Sequence, residues 1–374
     1  MLANKKKVGI ITLDDYSNYG NRLQNFALTK LLENEQFNVV NGVRILTQQA
    51  WAASACSPIR RIVKRVIPFY FVKRRISAPI VRGGLLGERE RRCSDFMKSH
   101  ITVVPPIVAP NAKLGEKALE QEKYDFFIAG SDQIWNPFFS GGKHEFLGFV
   151  PKEKRLSFAA SIGADYIPAE KKIVFKQYLN EMKYLSVREQ RAVEIIKELT
   201  GRDADLTMDP TLLLELERWQ EAVKKPDIAL EHRYICTYFL GEVPEAVKAF
   251  AEEKGLPIYA LNSLDSPELF TLDPAEFLYM IQNATYVLTD SFHAVAFSLK
   301  FNKEFYVFDR KQDGVSSMFS RIETLTKRFG LENRIQNRDR IVEQPPISNW
   351  KKIEDELMTE KKKSIEKLLA AMGI

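Results

Sequence analysis

The segment that decides the fold spans residues 286–297 and reads YVLTDSFHAVAF. It begins with a short apolar run typical of a strand buried in a parallel sheet, and Thr289, Asp290 and Ser291 end that run. Apolar residues then recur at helical spacing from Phe292 onwards. The segment therefore predicts a buried strand that passes directly into a helix, as in a doubly wound α/β fold.

Strand and helix patterns alternate along the rest of the chain in the same way. The predicted strands are Val8–Leu13, Phe37–Val43, Tyr124–Ala129 and Arg155–Ser161 in a first half, and Tyr184–Val187, Tyr234–Leu240, Pro257–Leu261, Tyr286–Leu288 and Glu304–Phe308 in a second half. We therefore predict an α/β fold of two facing Rossmann-like domains with a central cleft, a GT-B-like arrangement. The predicted N-terminal acceptor domain is 1–182 and the C-terminal donor domain is 183–345. A C-terminal helix, 346–374, is expected to pack back on the N-terminal domain.

The composition is that of a globular protein, with 45% apolar and 28% charged residues among 374. There is no run of about 18 apolar residues and no signal-peptide pattern near the start, so we expect a cytoplasmic protein. Cys56, Cys93 and Cys236 are far apart, and none stands near a histidine at ligand spacing. We therefore expect no disulfide framework, no bound metal and no cofactor.

Residues 57–82 form a basic segment with eight Lys or Arg and no Asp or Glu. The net charge of the whole chain is +6, so the rest of the chain carries −2. Apolar residues are interleaved with the basic ones, and two interpretations stay open. The segment packs its apolar face on the domain, or it lies on the anionic inner face of the plasma membrane and binds liposomes in a salt-sensitive way. Nucleic-acid binding is not expected, because RNA-binding motifs are absent.

Ligands of open α/β sheets bind beyond the carboxyl ends of the strands, so the loops that follow strands are the candidate sites. The loop after Val8–Leu13 carries amide side chains and a glycine, which suit the hydroxyls of an acceptor. Its candidate residues are Asn18, Tyr19, Gly20, Asn21 and Gln24. The alternative interpretation is a turn in which Asn18 or Asn21 caps the following helix. The loop does not contain the G-x-G-x-x-G pattern of dinucleotide binding.

The loop after Tyr124–Ala129 is rich in different polar groups beside one aromatic ring. Its candidate residues are Ser131, Asp132, Gln133 and Trp135. Amides, a carboxylate and an aromatic side chain form a reasonable sugar-binding set, in which the Trp135 ring covers an apolar face of the sugar. We predict that this loop also binds the acceptor.

Arg188 follows the predicted strand Tyr184–Val187 and can grip a carboxylate or phosphate with two parallel N–H bonds. The alternative is a surface charge cluster with Glu189 and Arg191 that contributes little to stability.

In the segment 286–297, the first N–H groups of a helix beginning near Phe292 have no partners within the helix and form an anion site. His293 lies in that first turn, where a proton-transfer role competes with a purely structural one.

These loops together resemble the polysaccharide pyruvyl transferase family over roughly residues 5–345. The matching stretches, in order, are NYGN at 18–21, GSDQIWN at 130–136, SVRE at 186–189 and TDSFH at 289–293. The resemblance implies that phosphoenolpyruvate is the donor. It also implies that pyruvate is placed as a ketal on a sugar of a surface polysaccharide, such as an exopolysaccharide or capsule, or on its lipid-linked precursor.

The family's donor-binding arginine corresponds to Arg188 and its histidine at the strand-to-helix junction to His293. The resemblance and the helix N-terminus together predict that four more residues bind the donor: Asp290, Ser291, Phe292 and Arg321. His293 is then expected to act as general acid on the methylene carbon of the donor. Two other classes stay open: a glycosyltransferase that uses a nucleotide-sugar, and a non-catalytic binding module.

One position departs from the family's pattern. Many characterised members have Arg-Leu-His at the junction where this chain has Ser291-Phe292-His293. Without that guanidinium, the junction lacks one hydrogen-bond donor for a carboxylate or phosphate. Either an arginine or lysine elsewhere compensates, or the protein uses a donor substrate other than phosphoenolpyruvate. The candidates for compensation are Arg188, Arg310, Lys311 and Arg321.

Overall fold

A computed structural model of the protein describes residues 5–13, 15–48, 78–139, 142–310 and 319–374, with only the backbone of 78–82. Most of the basic segment 57–82 lies outside the described residues, and so does Lys311. The two interpretations of that segment therefore remain predictions from sequence. None of the helices within the described ranges is long and apolar enough to cross a membrane.

The elements alternate between strand and helix, as the sequence predicts. In the N-terminal part they are β1 Lys7–Ile11, α1 Tyr19–Asn34, β2 Asn38–Asn41, β3 Ile45–Thr47, α2 Ala78–His100, β4 Ile107–Ala109, α3 Ala112–Gln121, β5 Phe126–Ala129, β6 Arg155–Ser157, α4 Ala169–Asn180, β7 Ser186–Val187, α5 Gln190–Thr200 and β8 Asp205–Leu206. The C-terminal part contains α6 Pro210–Leu213, α7 Leu216–Ala222, β9 Ile235–Tyr238, α8 Glu245–Lys254, β10 Ile258–Ala260, α9 Pro267–Phe270, α10 Pro274–Gln282, β11 Tyr286–Thr289, α11 Phe292–Lys300, β12 Glu304–Phe308, α12 Ser320–Phe329, β13 Ile335–Gln336 and α13 Trp350–Met372.

The first sheet is parallel and has the strand order β2-β1-β5-β6. Further backbone hydrogen bonds join β7 to it: the N–H of Ser157 donates to Tyr184 O (3.1 Å) and that of Ala160 donates to Ser186 O (3.0 Å). β7 in turn pairs with β8. The strand Tyr184–Val187, which we expected in the second half, therefore continues the first sheet. Arg188 is consequently presented by the first sheet, and the domain boundary after residue 182 stays a prediction.

The second sheet is also parallel, with the order β10-β9-β11-β12-β13. Its central strand β11 is formed by the segment that decides the fold, and α11 begins at Phe292, immediately after it. The strands β9, β11 and β12 are almost completely buried, since helices cover both faces of a parallel sheet. The expected α/β fold with two parallel Rossmann-like sheets is confirmed.

The two sheets share one apolar core across their junction. Tyr19, on α1, stacks on Phe277 of α10 with ring centroids 4.6 Å apart, and its hydroxyl donates to Leu272 O (2.8 Å). Arg89, on α2, donates to the carbonyls of Phe270 (2.6 Å) and Leu261 (3.0 Å). These contacts fix α1 and α2 against the loops and helices that follow β10 in the second half.

The C-terminal helix α13 contacts both halves. Its buried residues include Ile353, Leu357 and Leu368. Lys367 forms an ion pair with Asp205 of β8. Elsewhere along the helix, Glu360 accepts from Arg328 of α12 (2.9 Å). The helix therefore bridges the edge of the first sheet and the last helix of the second.

Candidate functional site

Four of the predicted loops meet in one buried polar cluster. Asn21 Nδ2 donates to Asp132 Oδ2 (2.8 Å), and Arg188 Nη2 donates to Asp132 Oδ1 (3.0 Å). Arg188 Nη1 also donates to Asp209, whose Oδ2 lies 3.7 Å from Nε2 of His293. The loops after β1, β5, β7 and β11 thus come together, because the carboxyl edges of the two parallel sheets face each other.

His293 is held between the two sheets and is only 6% exposed. One side of its ring lies against Gly20 in the first turn of α1. The two residues are so close that a side chain at position 20 would not fit: its Cβ would lie 2.7 Å from Cβ of His293 and still closer to Nδ1 and Cγ of the ring. On the other side, Nε2 is buried and has no hydrogen-bond partner among the described residues. The imidazole is therefore enclosed by polar groups and by glycine, not by an apolar core.

Asp209 is a central member of this cluster that the sequence analysis did not identify. It is fully buried and caps α6: its Oδ1 accepts from Thr211 N (3.0 Å) and Thr211 Oγ1 (2.8 Å). Its Oδ2 accepts from Ser131 Oγ (2.7 Å) and from Arg188. The sequence signal was present, since Asp209-Pro210-Thr211 is a typical helix start that follows a strand.

Two carboxylates and a guanidinium of the cluster stabilise one another as ions. Burial acts to raise the pKa of Asp132, but the charges of Arg188, His293 and Arg321 outweigh it and hold that pKa below its usual value. The pKa of Asp209 is likewise lowered, because Arg188 and His293 outweigh the effect of burial. Burial acts to lower the pKa of Arg188, and the charges of Asp209 and Asp132 raise it overall. These three groups are therefore charged at neutral pH.

Three guanidinium groups surround the N-terminus of α11. The Cζ atoms of Arg188 and Arg321 lie 4.7 Å and 5.8 Å from the ring centroid of Phe292. Arg310 Nη2 donates to Asp290 O (3.2 Å). Burial, followed by repulsion from Arg188, lowers the pKa of Arg321 to about 10, so this side chain also stays charged at neutral pH. Three of the four residues that could compensate for the missing guanidinium thus lie at this helix end: Arg188, Arg310 and Arg321.

Ser291 is the N-cap residue of α11, and its side chain forms no capping hydrogen bond. The carboxylate of the preceding Asp290 accepts from the backbone N–H groups of Leu240 (2.7 Å) and Gly241 (2.8 Å), and it pairs with Arg310 (3.3 Å). Asp290 therefore ties the loop after β9 to the helix N-terminus. Because both of its oxygens are occupied, the structure gives it a supporting position and does not present it as a ligand of the donor.

Two of the aromatic residues predicted to bind the acceptor are part of the core. Trp135 is fully buried, stacks on Phe146 with centroids 5.2 Å apart, and donates from Nε1 to Glu145 O (3.1 Å). The prediction that its ring covers a sugar face was wrong, because neither face is accessible. Tyr19 is also fully buried, with its hydroxyl bound to the backbone of the second half.

Three further predicted acceptor residues form hydrogen bonds with neighbouring side chains or with the backbone. Asn18 Oδ1 accepts from Asn21 N (3.2 Å), so the alternative interpretation of Asn18 as a helix cap applies. Gln24 Nε2 donates to Thr12 Oγ1 (2.7 Å). Gln133 Oε1 accepts from Asn136 Nδ2 (2.7 Å). These side chains hold the loops in shape around the cluster.

Exposed aromatic rings do occur in the segments that follow β5 and β6, at residues that the sequence analysis did not single out. Phe138 and Tyr166 are 49% and 53% exposed, and their ring centroids are 5.8 Å apart in an edge-to-face arrangement. Phe138 lies in the loop after β5 and Tyr166 in the segment after β6. These strands are parallel neighbours. Both rings therefore come after the carboxyl ends of neighbouring strands, as Asp132 does.

A cavity of about 480 Å³ adjoins the cluster between α5 and α12. Arg188, Asp209, Phe292 and Arg321 form one wall of it. Its apolar lining comes from Leu206, Met208, Leu212 and Leu325. The cavity is large enough for a small anionic molecule that has both charged and apolar groups. Within the described ranges, no group of three or more His, Cys, Asp or Glu side chains could hold a metal ion.

Two parallel sheets with a charged site between their carboxyl edges define a two-sheet Rossmann-like α/β protein. The sequence matches the family described as "Polysaccharide pyruvyl transferase" over residues 18–312, which include the stretches 18–21, 130–136, 186–189 and 289–293. The chain belongs to this family, so the resemblance drawn from the four loops is confirmed.

Several solved structures are similar to this chain at low sequence identity. MnaA of S. aureus, in a co-structure with UDP, is 13% identical with a TM-score of 0.46, and the match covers 99% of this chain and 90% of that one. UDP-N-acetylglucosamine 2-epimerase from Rickettsia bellii is 10% identical with a TM-score of 0.48, covering 99% and 98%. The glycosyltransferase SnogD from Streptomyces nogalater is 10% identical with a TM-score of 0.41, covering 98% and 100%. No curated protein matches the sequence.

Proposed function

We propose that this protein transfers the pyruvyl group of phosphoenolpyruvate to a saccharide and forms a cyclic ketal. The family indicates a transferase acting on polysaccharides. The observation that carries the proposal is the buried His293 imidazole in the first turn of α11, where Arg188, Arg310 and Arg321 surround the helix N-terminus. A small donor with a carboxylate and a phosphate matches this concentration of positive charge next to one proton-transfer group.

The donor's two anionic groups are bound by the N–H groups at the start of α11 and by Arg321 and Arg310. Arg188 contributes differently from the sequence-based expectation, since both of its terminal nitrogens already donate to carboxylates. Its Nε is buried 4.0 Å from Oε2 of Glu189, so Arg188 acts on the donor through its positive charge and through the cluster that it holds together. In this arrangement the other guanidiniums compensate for the serine at position 291.

His293 acts as the general acid. One hydroxyl of the sugar adds to C2 of the donor while the imidazolium protonates C3, which converts the methylene group into a methyl group. The C2–O bond to phosphate then breaks, and inorganic phosphate leaves with the proton of the first hydroxyl. A second hydroxyl of the same sugar adds to C2 and closes the ketal, and a hydroxyl proton returns to the imidazole. Neutralisation of the departing phosphate by the arginines stabilises the transition state.

We place the acceptor against the exposed ring pair Phe138 and Tyr166, because Trp135 is buried. A sugar of a polysaccharide or of a lipid-linked precursor has apolar faces that suit such rings. Its hydroxyls would reach the cleft from the edge of the first sheet.

Phe138→Ala is expected to raise KM for the acceptor about tenfold, with kcat changed less than twofold. The reason is the loss of roughly 1.5 kcal/mol of apolar burial by an exposed ring that takes no part in the chemistry. Steady-state kinetics with varied acceptor and saturating donor measure this. Leu114→Ala, at a 47% exposed position on α3, is the matched control and should change neither constant. An unchanged KM for the acceptor in Phe138→Ala would remove this placement.

The proposed function is tested by incubating the protein with phosphoenolpyruvate and a panel of saccharide acceptors. Mass spectrometry should show the added pyruvate on an acceptor, together with an equal amount of released phosphate. A parallel incubation with nucleotide-sugars tests the alternative of a glycosyltransferase. Transfer of a sugar in place of pyruvate would support that alternative, and binding of an acceptor with no product from either donor would indicate a binding module.

A further inference from the structure

Asp209 is a fully buried carboxylate that the proposed chemistry does not use. It is also the group that connects the cavity wall, the Arg188 guanidinium and the His293 imidazole. We propose that Asp209 is a positioning residue, whose negative charge beside the His293 imidazole favours the protonated form of the ring and orients its Nε2–H. This inference concerns the same site as the proposed function, and the experiment below tests it whatever the donor is.

The orientation of the Asp209 carboxylate is fixed by its own helix cap. Oδ1 accepts both the backbone N–H and the hydroxyl of Thr211, at 3.0 Å and 2.8 Å. Rotation of the carboxylate would break both hydrogen bonds, so Oδ2 is held toward the interior of the site. There it accepts from Ser131 and Arg188 and faces His293.

The distance between Asp209 Oδ2 and His293 Nε2 is 3.7 Å, which is that of an ion pair and too long for a hydrogen bond. Nε2 has no other partner within the described part of the chain. An approach of about 0.8 Å would turn this ion pair into a charge-assisted hydrogen bond. A proton on Nε2 therefore has an ionised acceptor in front of it, buried away from water.

The other charged groups around the imidazole do not replace Asp209. Asp132 also adds negative charge near the ring, but among the described residues Asp209 is the carboxylate that lies within ion-pair distance of Nε2, at 3.7 Å. Arg188 and Arg321 are positive and oppose protonation of the ring. Where α1 packs against the ring it presents Gly20, which carries no charge. Asp209 thus provides the nearer of the two carboxylate charges that offset the two guanidiniums.

The test is an NMR titration of the histidine side chains. The chain has four histidines, so protein labelled with carbon-13 at histidine Cε1 gives few signals, and His293→Gln assigns the signal of His293. In Asp209→Asn, the midpoint of the His293 titration should move to lower pH by about 1 unit, as expected when an opposite charge within 4–6 Å is removed. The other three signals should keep their midpoints.

Ser131→Ala provides a second variant with the opposite expected sign. Removing the hydroxyl that donates to Asp209 Oδ2 at 2.7 Å leaves that oxygen freer for the imidazole, so the midpoint should rise. A midpoint in Asp209→Asn that is unchanged or higher would overturn the proposal. If Asp209→Asn does not fold, an unchanged or lower midpoint in Ser131→Ala overturns it instead. A wild-type protein that transfers no pyruvate would contradict the proposed function. The titration would still test the role of Asp209, because it does not depend on activity.

Discussion

His293→Ala should lower kcat for pyruvyl transfer by about 10³-fold, within the range that a general acid contributes. The imidazole is the proton donor in the proposed mechanism, and no other histidine is among its neighbours in the cluster. Donor affinity should change by less than threefold, since the helix N-terminus and the guanidiniums remain. Phosphate release from phosphoenolpyruvate in the presence of acceptor, followed at varied donor concentration, separates the two effects.

His232→Ala is the matched control for this variant, because His232 is exposed and distant in sequence from the site loops. It should retain wild-type kinetics. Circular dichroism and a thermal melt of both variants establish that the fold is kept. If folded His293→Ala retained more than a tenth of wild-type kcat, the role of general acid would have to be assigned to another group.

Gly20→Ala should reduce activity at least 100-fold and destabilise the protein by about 1–3 kcal/mol, the usual cost of overpacking. The added methyl group would overlap the His293 ring and also lie 2.7 Å from its Cβ. Swinging the ring away therefore does not relieve the clash, and either α1 or α11 has to move. Urea unfolding and steady-state kinetics measure the two effects.

A glycine elsewhere in a helix gives the control for this substitution. Gly83, on α2, has no atom of the described residues within 4 Å of an added Cβ apart from its own helix, so Gly83→Ala should keep full activity and gain about 0.4–1 kcal/mol of stability. A double-mutant cycle identifies the cause of the loss. In a His293→Ala background, Gly20→Ala should cost less than about 0.5 kcal/mol, since the clashing ring is absent. An equal cost in both backgrounds would show that the methyl group strains something other than His293.

The convergence of the four loops was predictable from sequence because the fold follows from local patterns. A buried strand that ends in Thr289-Asp290-Ser291 and passes directly into a helix places these residues at the carboxyl edge of a parallel sheet. The same reasoning placed Asp132 and Arg188 at such edges. Side chains at the facing edges of two sheets necessarily lie near one another.

The details inside the site were less predictable, because they depend on packing between distant segments. Nothing local to Trp135 shows that Phe146 covers its ring, and polar neighbours in the sequence suggested exposure. Likewise, Ser186–Val187 carries no local signal for the sheet that it joins, since two-residue strands pair according to tertiary contacts. The sequence around Asp209 is sufficient to predict that this residue caps a helix. Its contact with His293 joins distant segments and could not be predicted from sequence.

The common core beneath Tyr19 and Arg89 has a consequence for how the protein melts. Because α1 and α2 are hydrogen-bonded to the second half at Leu272 and Leu261, we expect the two halves to lose their structure together. Differential scanning calorimetry should therefore show a single cooperative transition, with the van't Hoff enthalpy equal to the calorimetric one. Two resolved peaks would mean that the halves behave as autonomous folding units.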